Sequence, residues 1–245
     1  MLNMMRAELY RFKNSGYFLY LMIIVSILLQ GITFSLDKNF FDLDLSAGLM
    51  TMTQVTINMV LLACGTLLTV FIGISYNNRM SYYEIMSGNS PFKIIIVKTM
   101  TTGIISSVIM FIPTAVMLLI SYLRNGKGEV ENPAMVFVLL FVITLHTTIS
   151  FVLYSMLGRN LVFASFVPYI RLGILDMIVF LLCVQEFSSV KDSKLLYITT
   201  NSQMANLATR SGDGKFFLLV LLSSIAECAV LYILVYFIYK KKKFR

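Results

Sequence analysis

His146 is the one histidine in the chain. With Arg171, Asp176 and Glu227 it makes up the set of side chains that could move a proton or hold a charge within otherwise apolar sequence. A hydrolase acting inside a membrane would need a hydroxyl nucleophile and an imidazole base at matching depth. Ser and Thr are plentiful around His146, but no GxSxG or HExxH motif accompanies them, so the histidine reads as an interhelical hydrogen-bonding residue. No Cys/His cluster could hold zinc. Cys64, Cys183 and Cys228 all fall in or at the edge of apolar runs and read as small core residues rather than a disulfide framework. The runs GKGE near Gly126 and GDGK near Gly212 lack both the spacing of a phosphate-binding loop and its Ser/Thr after Lys. No catalytic or metal-ligating set is expected, and the chain is expected to bind no nucleotide by itself.

The elements that must position these residues follow from composition. Of 245 residues, 58% are apolar and 13% charged, with a mean hydropathy of +0.82. Soluble domains carry roughly 25% charged residues, so a free cytosolic enzyme, a disordered chain and a secreted disulfide scaffold are disfavoured. Six apolar runs are long enough to cross a bilayer: Tyr17 to Leu36, Val55 to Tyr76, Ile94 to Leu123, Pro133 to Leu157, Leu161 to Val184 and Phe216 to Tyr239. None shows the ten-residue alternation of a barrel strand, and in lipid the backbone must satisfy its own hydrogen bonds, so the spans are helices. The fold class expected is therefore all-α and polytopic, a single domain over residues 1–245 with six transmembrane helices.

On this layout Arg171 and Glu227 lie at similar depth, roughly 15–18 Å from the same membrane face at 1.5 Å per residue, and could pair. Asp176 is five residues beyond Arg171, about 140° away on an α-helix, which makes it the poorer partner. A charged pair at that depth reads either as a gate or substrate contact, or as a buried staple between two spans. Thr144, Thr147, Thr148, Tyr154 and Ser155 form a hydroxyl stripe on the fourth span, and Gly65, Thr69 and Gly73 repeat every fourth residue on the second. Both patterns suit close helix packing first and a pathway lining second. Pro113 and Pro168 interrupt spans three and five and are expected to bend them.

The net charge of +8 could suggest nucleic acid, but its placement suggests orientation instead. With the N-terminus in the cytoplasm, the inside set is Arg6, Arg11, Lys13, Arg79, Lys93, Lys98, Arg159 and the tail from Lys240 to Arg245. These twelve basic residues stand against seven on the outer side, so both termini are expected to be cytoplasmic. Residues 1–16 are expected to form an amphipathic interfacial helix, with Leu2, Met5, Leu9 and Phe12 as its apolar face. The stretch 185–215 is expected to be an extracellular segment with short helices dipping into the outer leaflet, and Asp37 to Gln54 a mostly polar link.

The remaining signal is the cytoplasmic loop 77–93. It carries Arg79, Tyr82, Tyr83, Glu84, Ile85, Met86, Ser87, Gly88 and Pro91 before an apolar run that reaches Lys98. Gly88 and Pro91 break a short helix so that the chain can turn up into span three. In this loop, in the Met5-to-Lys13 start, in the span count and in the long segment before the last span, the chain resembles the permease subunits of ABC-2 type transporters. Within that family it is most similar to the small Gram-positive permeases of bacteriocin-immunity (lantibiotic-immunity) and amphipathic-peptide exporters.

The resemblance implies a non-catalytic transmembrane subunit of an ATP-driven exporter in the bacterial plasma membrane. Its loop 77–93 would be a coupling helix docking on separate ABC ATPase subunits, which would hold the ATP and Mg. A second permease copy or a related permease would complete the pathway as a dimer. The substrate would be an amphipathic or antimicrobial peptide or another hydrophobic compound entering from the lipid bilayer, and no nucleic acid is involved. Replacement of Glu84 and Ile85 is expected to uncouple ATP hydrolysis from transport. An ATP-independent six-span channel or membrane scaffold is the alternative reading.

Overall fold

The computed structural model describes residues 2–15, 17–36, 42–78, 84–176, 178 and 199–241, and every regular element among them is helical. Helix α1 (Leu2–Asn14) is inclined at 66° to α2 (Tyr17–Leu36). Next come α3 (Leu45–Thr51), a π-helical segment π1 (Met52–Thr56) and α4 (Ile57–Asn77). The third stretch is α5 (Pro91–Lys98), π2 (Thr99–Gly103) and α6 (Ile104–Asn125). Then follow α7 (Pro133–Gly158), α8 (Leu161–Pro168) with π3 (Tyr169–Leu175), the short α9 (Thr200–Ala205) and α10 (Gly214–Lys241).

Four of these stretches, Ile57–Asn77, Pro91–Asn125, Pro133–Gly158 and Gly214–Lys240, are long and apolar enough to cross a membrane. The protein is therefore a multi-pass helical membrane protein. Helix α2 with α1 adds a bent pair that passes the same test as one span, and α8 with π3 forms a shorter apolar helix, Leu161–Leu175. The remainder of the fifth predicted span, from 179 to 184, lies outside the described residues.

Starts and stops follow local chemistry. Ser90 caps α5 with its hydroxyl accepting from the Lys93 N–H, and Pro91 occupies the first turn, where its missing N–H costs nothing. Asn132 and Pro133 repeat that pattern at α7. Helix α7 ends with Arg159 in the left-handed region at φ 53°, a C-terminal stop more often given to glycine or asparagine. The link from Asp37 to Gln54 is not a polar loop throughout. Asp44 caps α3 by accepting from the Ala47 N–H, Leu45 and Leu49 are buried, and the backbone stays right-handed helical through π1 into α4. Leu45 and Leu49 supply enough apolar surface on one face to hold α3 in the bundle against α6.

Helix α7 is the centre of the bundle. Buried residues make up 67% of its apolar window but only 22% of that of α10, so α7 is enclosed by protein while α10 turns most of its surface outward. Helices α4, α6, α8 and α10 pack around α7. The small residues work as the spacing suggests: a β-carbon at position 65 would come within 2.5 Å of the Phe151 ring, and one at 73 within 2.9 Å of the Leu161 Cα. The hydroxyl stripe on α7 is also packing. Thr144, Thr147 and Ser155 each donate to a carbonyl one turn back, and Thr148 reaches the Gly103 carbonyl on π2 at 3.2 Å.

The two ends of the bundle are distinct. One end gathers Phe12, Tyr76, Glu84, Lys98, Arg159 and Tyr239. Phe12 stacks edge-on against Phe71, Tyr76 and Tyr239 share a hydroxyl hydrogen bond, and the Arg159 guanidinium lies 4.4 Å from the Tyr239 ring centre. The other end joins Leu43 and Leu45 to the α6–α7 turn, where Ser121 and Asn125 donate to the Leu43 carbonyl and Leu45 N–H donates to Gly126.

Candidate functional site

The intramembrane polar residues converge. Counted from the helix starts, His146 on α7 and Glu227 on α10 each lie about 20 Å along their helices at 1.5 Å per residue, near the middle of both. The Arg171 guanidinium grips Glu227 with two parallel bonds, Nε to Oε1 and Nη2 to Oε2, both at 2.7 Å. His146 Nε2 approaches Glu227 Oε2 at 2.9 Å. Arg171 Nη1 also donates to Asp176 Oδ1, while the Asn201 N–H of α9 donates to Asp176 Oδ2 at 3.2 Å. Arg171, Asp176 and His146 are all buried, at 3–4% exposure, while Glu227 is partly exposed on the outward side of α10.

Arg171 and Glu227 thus meet at the depth their spacing suggests. Asp176 is a correction. Five residues is a poor register on an α-helix, but Arg171 sits within π3, whose hydrogen bonds run from i to i+5. That wider turn brings residue 176 back above residue 171. Pro168 is the last residue of α8; a proline ring clashes with the carbonyl four residues back in a regular helix, and the wider π turn follows it immediately. His146 joins the same carboxylate, a third partner that depth matching could have found, since 146 and 227 are each 13 residues into their helices. Asn201 carries no such signal in its type. Its side chain also donates to the Leu172 carbonyl, and Gln203 Nε2 donates to Ser223 at 3.0 Å, so α9 dips into the bundle beside the charges. Among the described residues no three His, Cys, Asp or Glu side chains converge to hold a metal ion.

A second charged cluster occupies the end that carries α1. Glu84 Oε2 pairs with Lys98 Nζ at 2.9 Å, and Glu84 Oε1 lies 3.8 Å from Arg11, which also bonds Glu8 at 3.2 Å and donates to Ser75. Lys98 is 1% exposed on the shaft of α5, so its ammonium depends on Glu84 for compensation. Burial pushes the Glu8 carboxyl above the usual carboxylate range, opposed by Lys98 and Arg11. The apolar stripe expected on α1 is accordingly divided. Phe12 and Glu8 face the bundle while Leu2 and Leu9 are exposed, because the Arg11 ion pair with Glu84 and its hydrogen bond to Ser75 fix the rotation of α1 more strongly than its own apolar pattern.

Of the loop residues, Glu84, Ile85 and Met86 form a helical turn followed by Ser87 and by Gly88 at φ 83°, with Asn89 Nδ2 donating to the Glu84 carbonyl. Pro91 starts α5. Arg79, Tyr82 and Tyr83 lie outside the described residues. Met86 is 65% exposed, a large apolar side chain presented at the tip of the turn. No family model, curated protein or solved structure matches this chain.

Proposed function

We propose that the chain is the permease subunit of an ATP-driven exporter of the ABC-2 type, with six spans and both termini in the cytoplasm of a bacterial cell. ATP and Mg are held by separate ABC ATPase subunits docked on the loop 77–93, and a second permease completes the pathway for an amphipathic or hydrophobic substrate. The observation that carries this reading, beside the family resemblance of the loop, is how the described half of that loop is anchored. Glu84 is tied to Lys98 in α5 and to Arg11 in α1, so a push on the turn 84–88 reaches the third span directly instead of being absorbed by a slack connection. Ionic contacts of this kind, partly desolvated, are stiff enough to carry displacement between rigid helices.

The same geometry selects the probe. Glu84 is the counter-ion of a buried lysine, so replacing it damages the fold as well as any coupling. Met86 and Ser87 are exposed and test docking alone. This reading predicts an ATP-binding-cassette gene adjacent to that of the chain, and the two proteins, co-expressed, are expected to co-purify. Met86→Asp is expected to cut transport-coupled ATP turnover by about tenfold or more, the scale of one lost hot-spot contact of 1.4 kcal/mol or above, with thermal stability of the isolated chain unchanged. Normal coupled turnover in Met86→Asp, or no ATPase partner at all, leaves the channel or scaffold reading in its place.

A further inference from the structure

Arg159 stands at the end of the bundle that carries α1, in the turn between α7 and α8. Its backbone takes the left-handed conformation, φ 53° and ψ 22°, which glycine adopts without steric cost and arginine does not. A β-carbon at Gly158 would overlap the Phe163 ring, so the turn is closely packed where it carries this residue. The Arg159 guanidinium rests 4.4 Å from the centre of the Tyr239 ring, and the Tyr239 hydroxyl is bonded to that of Tyr76. Side chains of α10 and α4 thus hold the cation in place at the end of α7.

The polar edge of this guanidinium meets no acceptor. Nε and Nη2 are buried without a hydrogen-bond partner, and these are the two nitrogens with which Arg171 grips Glu227. Among the described residues the carboxylates of this end, Glu8 and Glu84, are committed to Arg11 and Lys98. The adjoining stretches 79–83 and 242–245 hold the basic residues Arg79, Lys242, Lys243 and Arg245 and neither Asp nor Glu. A guanidinium stays charged in proteins, and donors desolvated without an acceptor are costly. This end of the chain supplies no carboxylate for the fork, so its anion comes from outside the chain.

The surroundings select that anion. Arg159 lies where the apolar span of α7 ends, the level at which a bilayer presents its headgroups. Val162, Phe166 and Tyr169 are exposed at helical spacing along the helix that begins beside it, and Leu234, Phe237 and Ile238 are exposed on α10 next to Tyr239. These apolar strips suit acyl chains, and the fork suits phosphate oxygens, which it can meet with two parallel bonds. We propose that Arg159 binds the phosphate of an anionic phospholipid, with Tyr239 as its platform and the outer faces of α8 and α10 along its acyl chains. A free phosphate ion shares the headgroup chemistry but uses neither strip. The site stands whether or not an ATPase partner exists.

Native mass spectrometry of the full-length protein in detergent, titrated with phosphatidylglycerol, phosphatidylcholine or inorganic phosphate, tests this. The wild type is expected to bind phosphatidylglycerol more tightly than phosphatidylcholine. Arg159→Gln is expected to weaken that binding about tenfold or more, the scale of a lost hydrogen bond to a charged group. Arg159→Lys keeps the charge but not the fork and is expected to fall between. Lys240→Gln removes an equal charge from an exposed position at the same end and is expected to change binding little. An equal loss in Lys240→Gln would reduce the effect to diffuse attraction by a basic end and overturn the proposal. Inorganic phosphate bound as tightly as phosphatidylglycerol would assign the fork to a soluble anion and overturn it too. So would unchanged lipid binding in Arg159→Gln, and if that variant also loses a co-purifying ATPase, the fork belongs to a carboxylate of that partner. Should neither Arg159 variant fold, the wild-type preference for phosphatidylglycerol, present or absent, decides.

Discussion

Arg171 is the residue on which the interior depends most. It pairs with the buried Asp176 and the partly buried Glu227, and truncating it strands both where little water reaches them. Removing one partner of a buried ion pair costs about 3–5 kcal/mol, whereas replacing all partners by neutral groups of similar shape is often close to neutral. Arg171→Met is therefore expected to lower stability by about 3–5 kcal/mol, and Arg171→Met combined with Asp176→Asn and Glu227→Gln to recover most of that loss. Reversible unfolding in mixed micelles measures both. Recovery in the triple variant would identify charge balance as the origin of the loss; a triple variant as unstable as the single one would place it in the packing of the arginine stem. The pairing of Arg171 with Glu227 was legible from depth alone. The pairing with Asp176 was not, because it depends on a local change of helix type that residue spacing does not announce.

At the level of helices, α4 and α8 approach closely where Gly73 faces Leu161 and Ala164. A β-carbon there would lie 2.9 Å from both the Leu161 backbone and the Ala164 methyl. Backbone cannot rotate away as a side-chain tip can. Gly73→Ala is expected to cost about 1–3 kcal/mol through overpacking, despite the better helix propensity of alanine. A β-carbon added at Gly31 would meet nothing within 4 Å, and Gly31→Ala is expected to be neutral or slightly stabilising in the same unfolding measurement. Apolar length made much of this architecture readable: the predicted limits Tyr17 to Leu36 coincide with α2, and Pro133 to Leu157 falls one residue short of α7. Hydropathy sets such limits because the bilayer rewards length and composition directly. It has no comparable grip on α3, whose burial depends on a docking surface on α6, nor on π1, π2 and π3, where tertiary contacts decide which carbonyl each N–H selects. The facing of α1 escaped for a related reason: a pattern of apolar residues gives a stripe, but the partners of Glu8 and Arg11 come from residues 75, 84 and 98.

For the whole molecule the open quantity is orientation, and the arrangement of the two ends makes it a single binary measurement. Helix α1, the turn 84–88, the start of α5, Arg159 and the end of α10 share one end, where Arg6, Lys13, Lys93 and Lys240 are exposed. The opposite end carries Arg124, Lys127, Arg210 and Lys215, interspersed with Asp42, Glu129, Glu131 and Asp213. Lysine and arginine are retained on the cytoplasmic side during insertion, and acidic residues offset them little. With Arg11, Lys98 and Arg159 added, the first end holds the larger share of basic residues among the described residues, which is the basis for proposing that it faces inward. In a background with the three native cysteines replaced, Met86→Cys and Lys127→Cys place a thiol at each end on exposed positions. A membrane-impermeant maleimide added to intact cells is expected to label position 127 and not 86, and to label 86 only after the membrane is permeabilised. The reverse pattern would put the turn 84–88 outside the cell, beyond the reach of any cytoplasmic ATPase, and would remove the exporter reading while leaving the buried charge cluster untouched.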